Sequence, residues 1–215
     1  MTKFAVVLAG NGAYDGSEIH EATLSMYAIR KQGAAYDVFA PDMEQHHVLN
    51  HLNGEEMNEK RNVMVEAARL ARGKIRSLDQ FNAADYDAIL FPGGFGVAKN
   101  LFTFAFDGPD AKVRPDVEKV IRDMHRARKP IAALCIAPVL IAKVLGNVKV
   151  TIGHDDGTAG AVEQMGGTHK KTGHGEVVVD EDNKIFTTPC YMLDADISQI
   201  GAGAENVVKE VLNHL

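Results

Sequence analysis

The chain has 215 residues, of which 46% are hydrophobic and 24% charged, and this composition indicates a folded globular protein rather than a disordered one. The formal net charge of −6 argues against a nucleic-acid binder and against a protein that binds anionic membranes. No apolar run approaches the roughly 18 residues that span a bilayer, and no signal peptide is evident, so we expect a cytoplasmic protein. The two cysteines, Cys135 and Cys190, are too few for a disulfide framework and are expected to be free thiols.

The first predicted elements form a β-α-β unit. An apolar run at 3–9 predicts a buried strand, the glycine-rich loop 10–16 follows it, and apolar residues at helical spacing then predict a helix that ends at Gly33. A second strand is predicted at 36–40, and the short crossover requires that it pair in parallel with the first. Residues 42–58 are polar and rich in histidine, and we interpret them as an insertion.

The alternation of strands and helices continues to the end of the sequence. Helices are predicted at 60–72, 115–128, 138–145, 159–165 and 196–215, and strands at 87–91, 130–134, 148–152, 176–179 and 184–188. The last two strands are predicted to form a hairpin, and 101–110 is interpreted as a loop. This order predicts an α/β fold of one domain, residues 1–215, in which a doubly wound, mostly parallel sheet carries helices on both faces.

Three loops follow predicted strands and are candidates for a functional site, because ligands bind beyond the carboxyl ends of parallel strands. They are 10–16, 92–96 and 135–138. Cys135 ends a strand and is followed at once by a helix, whose dipole and free N–H groups would stabilise a thiolate. The N–H group of Ile136 is then placed to donate to an oxyanion, as in a nucleophile elbow. A buried structural cysteine is the alternative interpretation.

Two further features lie near the same predicted sheet edge. Gly93 and Gly94 would let the backbone approach a ligand closely and complete an oxyanion hole; a tight turn is the alternative interpretation, and the position beside Cys135 favours the functional one. Glu18 and Glu21 open the first helix. We interpret Glu18 as the helix cap, whereas Glu21, one turn further on, is placed to tune a neighbouring thiol; otherwise it is an exposed acid favoured by the helix dipole.

A helix-borne glutamate, a strand ending in Pro-Gly-Gly and a strand ending in Cys together resemble the ThiJ/PfpI superfamily, which is related to the class I glutamine amidotransferases. The segments 14–22, 50–55, 92–96, 135–138 and 187–189 further resemble its ElbB-type branch of glyoxalase-like bacterial proteins implicated in isoprenoid biosynthesis. The resemblance covers nearly the whole chain. It implies a flavodoxin-like fold, a homodimer, and conversion of glyoxal-type 2-oxoaldehydes to 2-hydroxy acids without a cofactor or a metal.

The resemblance also assigns roles to individual residues. It makes Cys135 the nucleophile, the N–H groups of Gly94 and Ile136 the oxyanion donors, and Glu21 the carboxyl group beside the thiol. Many members of the superfamily have a histidine directly after the cysteine, where this chain has Ile136. His154, which follows another predicted strand, is the candidate substitute.

The implied activity is that of a slow glyoxalase III-like lyase. Cys135 would attack the aldehyde carbon, Glu21 with His154 would move a proton between the two carbons, and water would release the hydroxy acid. The alternative is a non-catalytic redox or carbonyl-stress sensor, in which Cys135 is oxidised to sulfinic acid. Both hypotheses require a Cys135 thiol of low pKa.

Two other patterns are weaker candidates for chemistry. His46, His47 and His51 have no evident fourth zinc ligand and are interpreted as part of a polar loop. The sequence His174-Gly-Glu176 matches the His-x-Glu of a glutaminase triad, but it opens the predicted hairpin, and glutaminase activity is disfavoured.

Overall fold

The computed structural model describes all 215 residues. The strands are β1 (Lys3–Val7), β2 (Ala35–Ala40), β3 (Ile75–Ser77), β4 (Ala88–Phe91), β5 (Ile131–Leu134), β6 (Lys149–Val150), β7 (Thr168–His169), β8 (Val178–Asp180) and β9 (Ile185–Thr188). The α-helices are α1 (Ile19–Lys31), α2 (Val63–Leu70), α3 (Phe104–Asp107), α4 (Pro115–Arg126), α5 (Ala137–Leu145), α6 (Asp156–Gln164) and α7 (Ile197–Asn213).

Seven strands form one sheet in the order β3-β2-β1-β4-β5-β9-β8, and only β8 runs antiparallel to its neighbour. Helices cover both sides of this sheet, with α1 packed against α2 and α7, and α4 packed against α5. The predicted doubly wound α/β fold is therefore confirmed. None of the helices combines the length and the apolar character that a bilayer crossing requires.

The central strands explain why the site forms where it does. All residues from Phe4 to Ala9 are fully buried, because β1 is covered on both faces, and this accounts for its continuous apolar sequence. β1 pairs with β2 on one side and with β4 on the other. The direction in which the chain adds strands reverses at this point, and the loops that leave β1 and β4 border the resulting crevice.

The structure differs from the predicted elements mainly outside the central strands. β3 was not predicted, because a three-residue edge strand with two polar side chains lacks the apolar pattern of a buried strand. The expected loop at 101–110 contains α3 and follows a π-helical turn at Val97–Leu101. The strand expected at 148–152 shrinks to β6, which pairs only with β7 and lies outside the seven-stranded sheet. The hairpin of β8 and β9 is confirmed.

Residues 42–58, interpreted as an insertion, contain no helix and only isolated β-bridges. This segment lies against the glycine-rich loop after β1. The ring of His51 stacks on Tyr14 with 4.7 Å between centroids, and the Leu49 N–H donates to the Asp15 carboxylate over 2.7 Å. The segment therefore supports the loop from which Tyr14 projects.

Candidate active site

Cys135 occupies the sharp turn between β5 and α5. Its φ is +59°, a conformation that residues other than glycine rarely adopt and that nucleophile elbows use to expose a side chain at the end of a strand. The Cys135 N–H donates to the Thr188 carbonyl of the adjacent strand over 3.0 Å, which anchors the turn. The structure thus places Cys135 at the carboxyl edge of the sheet.

The loop after β4 can approach this cysteine only because it contains glycines. A Cβ on Gly93 would lie 2.4 Å from the Cys135 Cβ and 2.9 Å from its Sγ. Gly94 has a φ of +102°, and a Cβ there would lie 2.4 Å from the carbonyl oxygen of Gly16. The Gly-Gly pair therefore brings backbone N–H groups next to the sulfur at a spacing that no other residue allows.

Glu21 is fully buried beside Cys135. Its Oε2 accepts from the Gly93 N–H over 2.8 Å, its Oε1 accepts from the Tyr191 N–H over 3.2 Å, and the Cys135 thiol donates to the same carboxylate. Burial, together with the negative charge of Glu18, raises the pKa of Glu21 to about 7 although the three hydrogen bonds lower it. At neutral pH this carboxyl group can both accept and return a proton.

Glu18 has the structural role expected for it. It is the N-cap of α1, and its carboxylate accepts from the Glu21 N–H over 2.7 Å. Its own N–H donates to the Gly93 carbonyl over 2.9 Å, so the start of the helix is fixed to the loop after β4. Of the two acidic residues, the structure brings Glu21 to the thiol and leaves Glu18 at the helix cap.

The protonation of the thiol differs from the sequence-based expectation. Burial and the Glu21 carboxylate raise the pKa of Cys135 well above its usual value, and the N–H groups of Gly94 and Ile136, which hydrogen-bond to the sulfur, lower it only in part. The predicted thiol of low pKa is therefore not what the structure indicates. A position near a helix N-terminus favours a thiolate, but here desolvation and a neighbouring carboxylate outweigh it.

A cavity of about 490 Å³ opens above Cys135. Its walls are mainly apolar, and they include the side chains of Tyr14, Phe95, Phe104 and Met192. The N–H donors predicted from the sequence border the same space, because Gly94 and Ile136 both line the cavity. The arrangement offers a nucleophile, a carboxyl group and two N–H donors to an uncharged electrophile.

The structure does not bring His154 to this site. His154 is exposed at the start of α6 and is absent from the cavity wall, because β6, the strand before it, does not belong to the main sheet and so does not end at the shared edge. His20 lies in the wall instead, and its Nδ1 is 2.8 Å from the Tyr191 hydroxyl. Sequence reasoning missed this pair, although His20 directly precedes Glu21.

The other histidines remain outside the site. His46 packs against His47 and Phe106, with ring centroids 4.5 Å and 4.3 Å away, and the structure contains no group of three or more side chains suited to hold a metal ion. His174 and Glu176, the glutaminase-like pair, do not line the cavity that holds Cys135.

A model of the DJ-1/PfpI family matches residues 6–190. The chain belongs to the DJ-1/PfpI family. The predicted resemblance to the ThiJ/PfpI superfamily, which is class I glutamine amidotransferase-like, is thereby confirmed.

Individual members of the DJ-1/PfpI family and of its fold resemble the chain over most of its length. The ES1 protein homolog of Rattus norvegicus is 48% identical over 220 residues, which cover 98% of this chain and 83% of the relative. A crystal structure from Ehrlichia chaffeensis, described as an isoprenoid biosynthesis protein with an amidotransferase-like domain, superposes with a TM-score of 0.93 at 35% identity and covers 99% of this chain and 100% of its own. Glyoxalase III from Candida albicans superposes with a TM-score of 0.63 over 100% of this chain and 97% of its own, and its 16% identity shows the shared fold alone.

The relatives also correct the expected location. The rat protein is named as mitochondrial, and so are relatives from Homo sapiens and Danio rerio. The prediction of a cytoplasmic protein is therefore wrong. It rested on the lack of a recognisable targeting segment, and that lack does not determine where a protein of this family works.

Proposed function

We propose that this DJ-1/PfpI protein is a cofactor-independent glyoxalase that converts 2-oxoaldehydes to 2-hydroxy acids. The observation that carries the proposal is that the Cys135 sulfur and the buried Glu21 carboxyl group lie against the same glycine: a Cβ on Gly93 would be 2.9 Å from Sγ and 2.7 Å from the Glu21 Oε2. The pKa of Glu21 is raised to about 7. Gly94 and Ile136, whose N–H groups are the expected oxyanion donors, line the same cavity as Cys135, and this cavity gives the sulfur access to small molecules. Nucleophile, proton acceptor and oxyanion donors are the groups that addition to an aldehyde requires.

In the first step the Cys135 Sγ bonds to the aldehyde carbon while its proton passes to the Glu21 carboxylate. The pKa of the thiol is raised, so little free thiolate exists at neutral pH, and the attack depends on this transfer. The carbonyl oxygen takes up the electron pair of the C=O π bond. The N–H groups of Gly94 and Ile136 then donate to that oxygen, and Glu21 returns the proton to give a hemithioacetal.

In the second step the hydrogen of the former aldehyde carbon leaves as a proton to Glu21, and a proton is delivered to the neighbouring carbon. The first carbon is oxidised to a thioester and the second is reduced to an alcohol, so no external oxidant is needed. We assign protonation of the ketone oxygen to His20 and Tyr191, which are hydrogen-bonded to each other in the cavity wall. The hydroxyl group of the hemithioacetal loses its proton as it becomes the thioester carbonyl, and this proton replaces the one that the pair gives up. Water then cleaves the thioester and releases the hydroxy acid with the free Cys135 thiol.

The burial of Cys135 argues against the sensor alternative. Peroxides oxidise thiolates, and the raised pKa of this thiol keeps it protonated at neutral pH. A base beside the sulfur assists an enzyme, because the thiol needs to lose its proton only during the attack. A sensor requires a thiol that is already ionised at neutral pH, and the base does not provide that.

Turnover measurements test the proposal directly. Purified protein is incubated with glyoxal or methylglyoxal, and the formation of glycolate or lactate is followed by NMR. We expect turnover below the ~10 s⁻¹ typical of enzymes, its loss in Cys135→Ser, and its retention in the matched control Cys190→Ser. Equal turnover in Cys135→Ser refutes the mechanism. If no product forms although Cys135 reacts with iodoacetamide, and dilute peroxide converts Cys135 to sulfinic acid, the sensor function is favoured.

The proposal extends to the finer family assignment. We place the chain in the ElbB-type branch with a role linked to isoprenoid biosynthesis, and the 35% identity to the Ehrlichia chaffeensis protein of that description supports this placement. We also propose a homodimer of single-domain chains. Sedimentation velocity tests it, because a monomer at micromolar concentration would contradict the dimer.

A further inference from the structure

We infer that the preferred substrate is an uncharged 2-oxoaldehyde whose second carbon carries an apolar group about the size of a phenyl ring or a branched alkyl chain. This inference rests on the proposed function and specifies the substrate class of the same site. It concerns the part of the substrate that does not react.

The volume of the cavity is the first observation. At about 490 Å³ it falls within the roughly 300–1,000 Å³ range of sites for small organic molecules. Glyoxal has four non-hydrogen atoms, and at about 30 Å³ each, the share of one water molecule in the liquid, they would fill about a quarter of this space. A site for glyoxal alone would not need the remainder.

The chemistry of the wall is the second observation. Ten of the fourteen residues that line the cavity are hydrophobic. Two of its aromatic side chains are left largely uncovered by the protein, since Tyr14 is 44% exposed and Phe95 is 56% exposed. An apolar substituent held between them would remove this surface from water, and binding would gain from that burial.

The charge of the wall is the third observation. No lysine or arginine lines the cavity, whereas Glu18 does, and Glu21 lies behind it against Cys135. Lys99 is not a lining residue, but it lies beside the wall, because its ammonium donates to the Tyr14 carbonyl over 2.9 Å and lies 5.7 Å from the centre of the Phe95 ring. A substrate carrying a carboxylate or a phosphate would find no lysine or arginine among the lining residues and would meet Glu18 and Glu21 near the reacting sulfur.

The reaction balances as it does for the smaller aldehydes. Sγ bonds only to the aldehyde carbon, one water is consumed, and the apolar group remains on the carbon that becomes the alcohol. The apolar group therefore changes how the substrate is held and leaves the bonds made and broken unchanged. Its effect should appear in kcat/KM through binding energy available in the transition state.

A series of aldehydes tests the inference. We expect kcat/KM to rise at least tenfold from glyoxal to phenylglyoxal, and to fall at least tenfold from phenylglyoxal to its 4-carboxy derivative, which has the same ring and the same reactive group. Equal values for all three, with turnover present, would overturn the inference and leave the proposed function intact.

Alkylation of Cys135 gives a second measurement that needs no turnover. Rates are measured for N-benzyliodoacetamide, iodoacetamide and iodoacetate, each divided by the rate with glutathione. We expect the ratios to fall in that order. The same order in a protein without glyoxalase activity would support an apolar ligand and refute the proposed function; three equal ratios would overturn the inference.

A pair of variants tests the role of charge. Met192→Lys adds a cation to the wall, and Met192→Gln adds a neutral polar side chain of similar length. We expect the ratio of iodoacetate to iodoacetamide alkylation to increase at least fivefold in Met192→Lys relative to Met192→Gln. An unchanged ratio would contradict selection by the charge of the wall.

Discussion

Replacing Glu21 with Gln should remove a large part of the pH dependence of stability between pH 4.5 and pH 7. Burial raises the pKa of this carboxyl group from 4.5 to about 7, so the folded protein holds its proton more tightly than the unfolded chain does. The resulting stabilisation is fully present below pH 4.5 and is lost as the pH rises through 7. A shift of this size corresponds to about 3 kcal/mol of unfolding free energy.

The substitution also has a cost that does not depend on pH. The carboxylate accepts hydrogen bonds from two backbone N–H groups, those of Gly93 and Tyr191. The Gln amide offers one oxygen and turns its NH₂ group toward the other donor, which leaves a buried N–H without an acceptor at about 1–3 kcal/mol. We therefore expect Glu21→Gln to be clearly less stable than the wild type at pH 4.5. At pH 8 the difference should have shrunk by about 3 kcal/mol, enough to abolish or reverse it.

Urea denaturation followed by far-UV circular dichroism from pH 4.5 to pH 8 measures both curves. His47 and His169, whose pKa values are lowered by burial, also titrate in this range, but they are present in both proteins and cancel in the difference. Glu18→Gln is the matched control, since it should keep most of the wild-type pH dependence and lose at most ~1 kcal/mol of capping energy. Parallel curves for the wild type and Glu21→Gln would refute the raised pKa of Glu21.

Three other predictions follow from the geometry of the site. Gly93→Ala should lower the unfolding free energy by about 1–3 kcal/mol in calorimetry, because the added Cβ would lie 2.4 Å from the Cys135 Cβ. Gly160→Ala is the control: its Cβ would have no neighbouring atom within 4 Å, and in helix α6 the change should be neutral or stabilising. His20→Ala should lower kcat at least tenfold, because His20 lies in the cavity wall. His154→Ala changes an exposed residue outside the cavity, and its kcat should stay within twofold of the wild type. The reverse result would restore His154 as the proton carrier. Iodoacetamide labelling of Cys135 should accelerate only above pH 9, and a midpoint near 7 would contradict the raised pKa of the thiol.

The positions of Cys135 and Glu21 at one edge of the sheet could be predicted because both depend on local pattern and a general rule of topology. A strand that ends in Cys135 and one that ends in Pro-Gly-Gly must bring their loops to one edge if the strands are parallel. The choice of Glu21 over Glu18 came from the resemblance to the ThiJ/PfpI superfamily, whose glutamate lies about three turns before the glycine that ends its helix, here Gly33. These residues act where the chain leaves a buried strand or enters a helix, and such points are visible in the sequence.

The rest of the site depends on contacts that no local pattern records. The predicted role of His154 assumed that β6 belongs to the main sheet, but a two-residue strand can pair elsewhere, and it does. His20 and Tyr191 are 171 residues apart in the sequence, so only the folded chain brings them together. The predicted low pKa of Cys135 considered the helix terminus and omitted burial, which is a property of the whole packed structure.

The buried Glu21 imposes a cost at neutral pH that packing alone does not explain. Ionising a fully buried carboxyl group is unfavourable, and two backbone donors and a thiol only partly offset this. A role in proton transfer accounts for the arrangement, because a carboxyl group with a pKa of about 7 gains and loses protons readily at that pH. Stability and activity should then separate in Glu21→Gln. At pH 8 the variant should be at least as stable as the wild type, by about 0–2 kcal/mol, yet it should lose at least a hundredfold in turnover, in the range of general acid–base catalysis. A variant that keeps its activity at pH 8 would show that the carboxyl group only holds the loop after β4 in place.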